Sequence, residues 1–515
     1  MKLFRSAATI GGLTGISRIL GLIRDMLMAA FLGAGPVADA FFVAFKLPNF
    51  FRRLFAEGAF NAAFIPYFSR LYSESGLRQA VRNAEQIFAV LLCSLLVLVS
   101  VVEGGLPWFL YLIAPGFSET PERFQLALDL TRLTFPYILF ISLAAFYTGM
   151  LNALGRFAAG AATPVLLNIF MIGATLIGAA GFFPTGYSLA WSILLAGIAQ
   201  WVWLIIAARH AGLKLTFKKP GLSPAVRHVL KAMVPGALGA GVMQINLLVD
   251  TILASFLPVG AISYLFYADR FNQLPLGMIG IAMSTALLPL LSQHLQKNRL
   301  QEAQWVQNRA IEYALILTLP AALALMALAP LLFSVLFERK AFGVEQVQET
   351  SAVLAAFSTG LPAYVGVKIF STSFFARYDT KTPVKIAVIS MMANIAMNLI
   401  FMPLLAHVGI ALATSLSSWI NLLGLVFVLK RQKLLSADER LRRKIPRILV
   451  ASCLMFGGLL VLRDSLPVAG LGFLMKFLVL GSIVAGGLTL YLVTAFFLKA
   501  ITVNELKGLF RKSAS

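Results

Sequence analysis

Apolar runs of roughly 20 residues, parted by short polar or glycine–proline stretches, follow one another along almost the whole chain. A hydrocarbon core about 30 Å thick is crossed by about 20 apolar residues in helical form, so each run predicts a spanning helix. About fourteen are expected, centred near residues 18, 50, 93, 140, 170, 198, 244, 276, 322, 362, 394, 420, 455 and 485. The second and eighth run long and contain Pro48 and Pro66, and Pro275 and Pro289. Proline inside a spanning helix removes a backbone hydrogen bond and favours a kink. Lys2 and Arg5 before an apolar run imitate a secretory signal, but Arg18, Arg24 and Asp25 interrupt that run. A retained first helix is therefore expected.

Composition fits this pattern. The 515 residues are 59% hydrophobic and 12% charged, against about 25% charged residues in soluble chains. The expected fold class is an all-α polytopic membrane protein with no separate soluble domain. The net charge of +22 would suit nucleic acid, but its placement does not. With both termini on one side, that side receives 30 of the 43 lysines and arginines and the other side four. The excess marks the cytoplasmic face and favours anionic lipid, so both termini are expected in the cytoplasm and no nucleic-acid partner is. Cys93 and Cys453 stand alone in apolar runs, and the four histidines are scattered, which excludes a disulfide framework or a zinc site. No strand–glycine–Lys-Ser/Thr phosphate loop exists, so ATP hydrolysis is unsupported.

The chain repeats itself. Leu22–Leu32 (LIRDMLMAAFL) reappears 225 positions later as Leu247–Leu257 (LLVDTILASFL). Ile65-Pro66 recurs as Leu288-Pro289, and Thr163-Pro164 as Thr382-Pro383. This predicts two pseudo-symmetric six-helix lobes, 1–215 and 220–435, in the same orientation around a central cationic cavity. A C-terminal helix pair, 440–500, lies outside the repeat. Repeat-built transporters hold substrate near the midplane.

Charges at membrane depth are costly and mark function by default. Of nine basic residues inside spans, Arg18, Arg24, Lys46, Arg52 and Arg53 crowd into the first two helices. Asp25, Asp39 and Glu57 accompany them, while Asp269, Arg270 and Lys368 follow in helices 8 and 10. Residues seven apart differ by only about 20° around a helix. Asp39, Lys46 and Arg53 therefore share a stripe, as do Arg18 and Asp25. Guanidinium forks suit the oxygens of a diphosphate. Arg24 with Asp25, or Arg53 with Glu57, can also be read as an ion pair that only locks helices. The whole set carries two more basic than acidic groups once Asp250 is counted, which calls for an anionic partner. Asp250 and Asp379, with Asn394 or Asn398, offer oxygen ligands of the kind Na⁺ takes, so Na⁺ coupling stays open and no other cofactor is expected.

SRILGLIRD (17–25), ADAFFVAFKLPNFFRRLFAEGAF (38–60), TFPYILFISLA (134–144), YADR (267–270) and DTKTPVKIA (379–387) together resemble the MurJ (MviN) family of lipid II flippases. The likeness covers nearly the whole chain. It implies the fold of the multidrug/oligosaccharidyl-lipid/polysaccharide exporter superfamily, a central cavity for a diphosphate-linked sugar-peptide head group, and a polyprenyl-tail groove on the last helix pair. It implies essential roles for Arg18, Arg24, Arg52 and Arg270, and relates Asp250 to the acid of a Na⁺ site found in some members. The partners implied are lipid II, membrane lipids and cell-wall synthesis proteins, in a bacterial inner membrane. The activity expected is translocation by alternating access, not catalysis. A flippase for another polyprenyl-diphosphate glycan and a multidrug antiporter of the same superfamily are the competing readings.

Overall fold

In a computed structural model, residues 2–53, 60–466 and 470–502 are described. Helix takes up 86% of the chain, with no strand among the described residues, as expected for backbone that must satisfy itself within lipid. Among the described residues, ten helical segments are long and apolar enough to cross a membrane.

Contacts divide the chain into two compact units. The first comprises Met1–Ser263 with Arg339–Phe342. Its helices are α1 (Lys2–Leu32), α2 (Pro36–Phe51), α3 (Asn61–Gly104), α4 (Leu106–Ile113), α5 (Pro121–Thr134), α6 (Tyr137–Ala153), α7 (Ala158–Ala179), α8 (Thr185–His210) and α9 (Pro224–Ser255). At about 1.5 Å per residue, the 44 residues of α3 are about twice as long as a bilayer core is thick. The helix breaks at Gly76, whose φ of 77° suits glycine alone. Phe60, Phe64 and Phe146 stack at 4.8–6.0 Å between centroids in the interior of this unit.

The second unit comprises Tyr264–Glu338 and Gly343–Ser515. It holds most of α10 (Ala261–Pro275), a π-helical turn over Leu276–Gly280, α11 (Ile281–Gln296), α12 (Leu300–Leu336), α13 (Val344–Ser358), α14 (Leu361–Phe375), α15 (Lys381–Arg431), α16 (Glu439–Ser465) and α17 (Phe473–Phe497). The 51-residue α15 breaks at Ala406. Leu287, Leu291, Ala310, Val365 and Ile369 form one core cluster of this unit.

Three mid-helix prolines share one solution. A proline cannot donate to the carbonyl four residues back, and in lipid that oxygen needs another donor. The Thr134 hydroxyl donates to Ala44 O at 2.9 Å, opposite Pro48. Thr163 donates to Gly160 O at 2.8 Å, beneath Pro164. In the second unit the Tyr491 hydroxyl donates to Ile316 O at 2.7 Å, opposite Pro320. Thus α2 runs on through Pro48 to Phe51.

The second unit also holds a charged network about Glu312, which is fully buried on α12. It accepts from Lys444 Nζ at 2.6 Å, from Arg440 at 2.9 and 3.2 Å, and from Arg309. Arg309 also pairs with Asp438, the residue that caps α16. At the far end of α16, Arg463 Nη1 donates to Ala327 O at 3.0 Å. The C-terminal pair is thus tied to α12 at both ends of α16 and by Tyr491 on α17.

Candidate functional site: cations on the first two helices and on α10 and α14

The charges of the opening stretch are not equivalent. On α1, Arg24 is 6% exposed and Asp25 3%. Arg24 Nε and Nη2 donate to Asp25 Oδ1 at 2.9 and 2.7 Å, and Nη1 donates to Asn168 Oδ1 on α7 at 2.9 Å. Asn168 in turn donates to Ser17 O at 2.9 Å. The ion-pair reading of Arg24 and Asp25 is therefore real, yet the same contacts also fix a buried guanidinium on α1 through Asp25, Asn168 and the Met171 sulfur. Seven residues before Asp25 on the same unbroken helix, Arg18 is exposed.

On α2 the expected stripe divides. Asp39 is completely buried. Its Oδ2 accepts from Arg123 Nη2 at 2.7 Å and Gly260 N at 2.8 Å, and its Oδ1 from Ser263 N at 2.9 Å and Ser263 Oγ at 2.6 Å. A carboxylate offers about four acceptor positions, and all are taken, so none is left for a ligand. Asp39 instead caps the first turn of α10, where backbone donors lack partners, and neutralises Arg123. Lys46 is half-buried and Arg53 exposed. Arg52 is half-buried and donates to Asn49 Oδ1 at 3.1 Å from a π-type turn that follows α2. Glu57 lies outside the described residues.

A second π turn, Leu276–Gly280, follows Pro275, at the interval that relates Ile65-Pro66 to Leu288-Pro289. π turns inside helices gather at functional sites. Just before it, Asp269 accepts from Gln273, and Arg270 lies over the Phe266 ring at 4.4 Å. The half-buried Lys368 of α14 runs its stem across this turn. A Cβ at Gly280 would meet Lys368 Cδ at 2.9 Å. The Lys368 ammonium has no ion-pair partner among the described residues.

The candidate cation ligands do not all converge. Asn398 donates to Asn394 Oδ1 at 3.0 Å, one turn away on α15. Asp379 precedes α15 and accepts from Thr382 N at 3.0 Å. Hydrogen bonds from Thr382 hold its carboxyl below the usual carboxylate range. Asn394 lies 13 residues beyond the start of that helix, about 20 Å along its axis, so Asp379 and the asparagines cannot share one ion. Asp250 is half-buried on α9. Among the described residues no group of three His, Cys, Asp or Glu side chains is placed to hold a metal.

The sequence profile described as lipid II flippase MurJ matches residues 28–480. The chain belongs to the MurJ family. It is 40% identical over 514 residues to the probable lipid II flippase MurJ of Rhizobium tropici, covering 98% of this chain and 96% of that protein. The counterpart from Rhizobium meliloti is 41% identical, with 100% and 97% covered. A solved lipid II flippase MurJ in an inward closed conformation superposes with a TM-score of 0.79 at 29% identity, over 94% of this chain and 97% of that one. An inward-facing multidrug transporter of the MATE family superposes at 0.67 with 15% identity, over 83% and 98%, a likeness of fold alone.

Against this MurJ framework, sequence reasoning misses Asn168 and Arg123. Asn168 carries a signal, being a lone amide in the apolar run AATPVLLNIF. Arg123 carries none, since its position in the chain points only to an outer loop and names no partner.

Proposed function

We propose that this MurJ-family protein is a lipid II flippase, moving the undecaprenyl-diphosphate-linked peptidoglycan precursor from the cytoplasmic to the periplasmic leaflet by alternating access. The observation that carries the reading is the unbalanced positive charge on spanning helices. With Asp39 neutralised by Arg123, a residue outside the counted set, the surplus of basic over acidic groups grows by one. Arg18, Arg24, Lys46, Arg52, Arg53, Arg270 and Lys368 are the groups we assign to the diphosphate and its sugars, with Asp25 and Asp269 setting their positions. The same surplus disfavours a cationic drug as cargo, the alternative that the shared MATE fold would otherwise suggest.

The architecture we propose has fourteen spans in two six-helix lobes, 1–215 and 220–435, a cationic head-group cavity, and a terminal pair within 440–500 that takes the polyprenyl tail. Ten spans are apolar outright. Helices α1, α2 and α9 supply three more, and the break of α15 at Ala406 divides one segment into two. Both termini then face the cytoplasm. Membrane potential or a Na⁺ gradient resets the empty carrier, since one charge through 100 mV is worth about 2.3 kcal/mol. Asp250 is the acid we assign to such an ion.

Cells depleted of the protein, assayed directly for lipid II orientation, test the function. Wild-type protein should restore outward lipid II. Arg18→Ala, which removes an exposed side chain, should not, at unchanged membrane levels. Full restoration by Arg18→Ala, Arg52→Ala and Arg270→Ala alike would overturn the assignment. Restoration of a different polyprenyl-diphosphate glycan, with lipid II unaffected, would redirect the substrate.

A further inference from the structure

At the end of α8, Gly212 adopts φ 81°, and the chain doubles back so that Leu213 N donates to Ala208 O at 2.9 Å. This turn closes a cavity of about 320 Å³ lined by Tyr147 of α6, Ile205 and Arg209 of α8, and Leu213, Lys214 and Leu215 of the following linker. Tyr147 is 7% exposed, and its hydroxyl has no hydrogen-bond partner among the described residues. Arg209 and Lys214 have no acidic partner there either. The stretch 209–219 contains two further lysines, Lys218 and Lys219, and no aspartate or glutamate. The nearby acid, Glu85 of α3, is engaged elsewhere. Its Oε1 accepts from Thr216 N at 2.8 Å and Thr216 Oγ1 at 2.6 Å, and its Oε2 lies 3.9 Å from Lys218 Nζ. The last carbonyls of α8 are also occupied, those of Ala207, Ala208 and Arg209 by the N–H groups of Ala211, Gly212 and Leu213, and that of His210 by Arg156 Nη1 at 3.3 Å.

Two cations and a buried phenol thus open onto one small cavity without a counter-charge. We infer that this cavity binds the phosphodiester of an anionic phospholipid head group. A lipid fits better than free phosphate because the site adjoins apolar surface on both sides. Val202, Trp203 and Ile206 lie exposed up α8, and Phe217 is 65% exposed on the linker. Basic pockets at the ends of spanning helices hold lipid head groups in this way. None of its lining residues lies on α1 or α2.

The test uses full-length protein in neutral detergent, with bound short-chain phosphatidylglycerol counted by native mass spectrometry. At about 1 kcal/mol per basic residue, Arg209→Gln combined with Lys214→Gln should weaken binding roughly 30-fold. Tyr147→Phe should weaken it about tenfold, and Lys231→Gln should not change it. Both cations are exposed, so thermal stability should stay at the wild-type value, and Arg209→Lys should recover most of the affinity. Wild-type affinity in the double variant would overturn the site. Phosphatidylcholine binding as tightly as phosphatidylglycerol would remove the requirement for net negative charge. Full competition by inorganic phosphate at equal concentration would show that the lipid is not the ligand.

Discussion

Replacing Asp39 by alanine separates a ligand-contacting role from an architectural one. The substitution removes four hydrogen bonds and leaves the Arg123 guanidinium, 7% exposed, without its counter-charge. Breaking a buried pair from one side costs about 3–5 kcal/mol. For a cooperative unit of this size, each kcal/mol lowers the midpoint by roughly 2–4 °C, so purified full-length protein should melt at least about 6 °C lower. Asparagine should also fail, because its amide would place two donors against Arg123 and Gly260 N–H. Changing both partners to leucine removes the orphaned charge, so the double variant should be more stable than Asp39→Ala alone. A thermal scan of the three variants, alongside a lipid II translocation assay, decides the matter. Wild-type melting with abolished translocation in Asp39→Ala would refute the architectural account and return Asp39 to the substrate.

Reporter fusions at Gly76 and after residues 220 and 435 should report cytoplasm, and those after 120, 184 and 343 the outer side; a cytoplasmic result at both 120 and 343 would reject fourteen spans. Glu312→Ala leaves Arg309 and Lys444, both nearly buried, without the acid they share and should lower the melting midpoint about as much as Asp39→Ala does. Unchanged melting would mean that water already screens the cluster. Asp379 holds the start of α15 through Thr382, and its carboxyl titrates below the ordinary range. That contribution is intact above the ordinary carboxylate pKa and fades as pH falls through the lowered one. Asp379→Asn should therefore flatten the acid limb of a stability–pH curve, and an unchanged limb would rule the cap out.

The spanning helices are legible in the sequence because apolar length is a local property of the chain. So is the pairing of Arg24 with Asp25, which are adjacent. The partners of Asp39 are not, since Arg123 lies 84 residues away and Gly260 and Ser263 contribute backbone donors that no side-chain pattern records. Arg309, Arg440 and Lys444 read in the sequence as topology charges, although Glu312, three residues after Arg309 and just before a long apolar run, points to a closer use. The Asp379 ligand set fails for a geometric reason: a helix puts 13 residues of rise between groups that lie near one another in sequence.

Pro320 and Tyr491 imply a dependence between residues 171 positions apart whose side chains serve one carbonyl. Without the tyrosine hydroxyl, Ile316 O would be left with no donor. In Pro320→Ala, the backbone N–H regained at that position would satisfy it and make the hydroxyl redundant. Tyr491→Phe should therefore be harmful in the native chain and nearly silent beside Pro320→Ala. The order in which the two changes arise then matters, since losing the proline first keeps every intermediate sound and losing the hydroxyl first does not. Related chains that lack one of the pair should tend to lack the other.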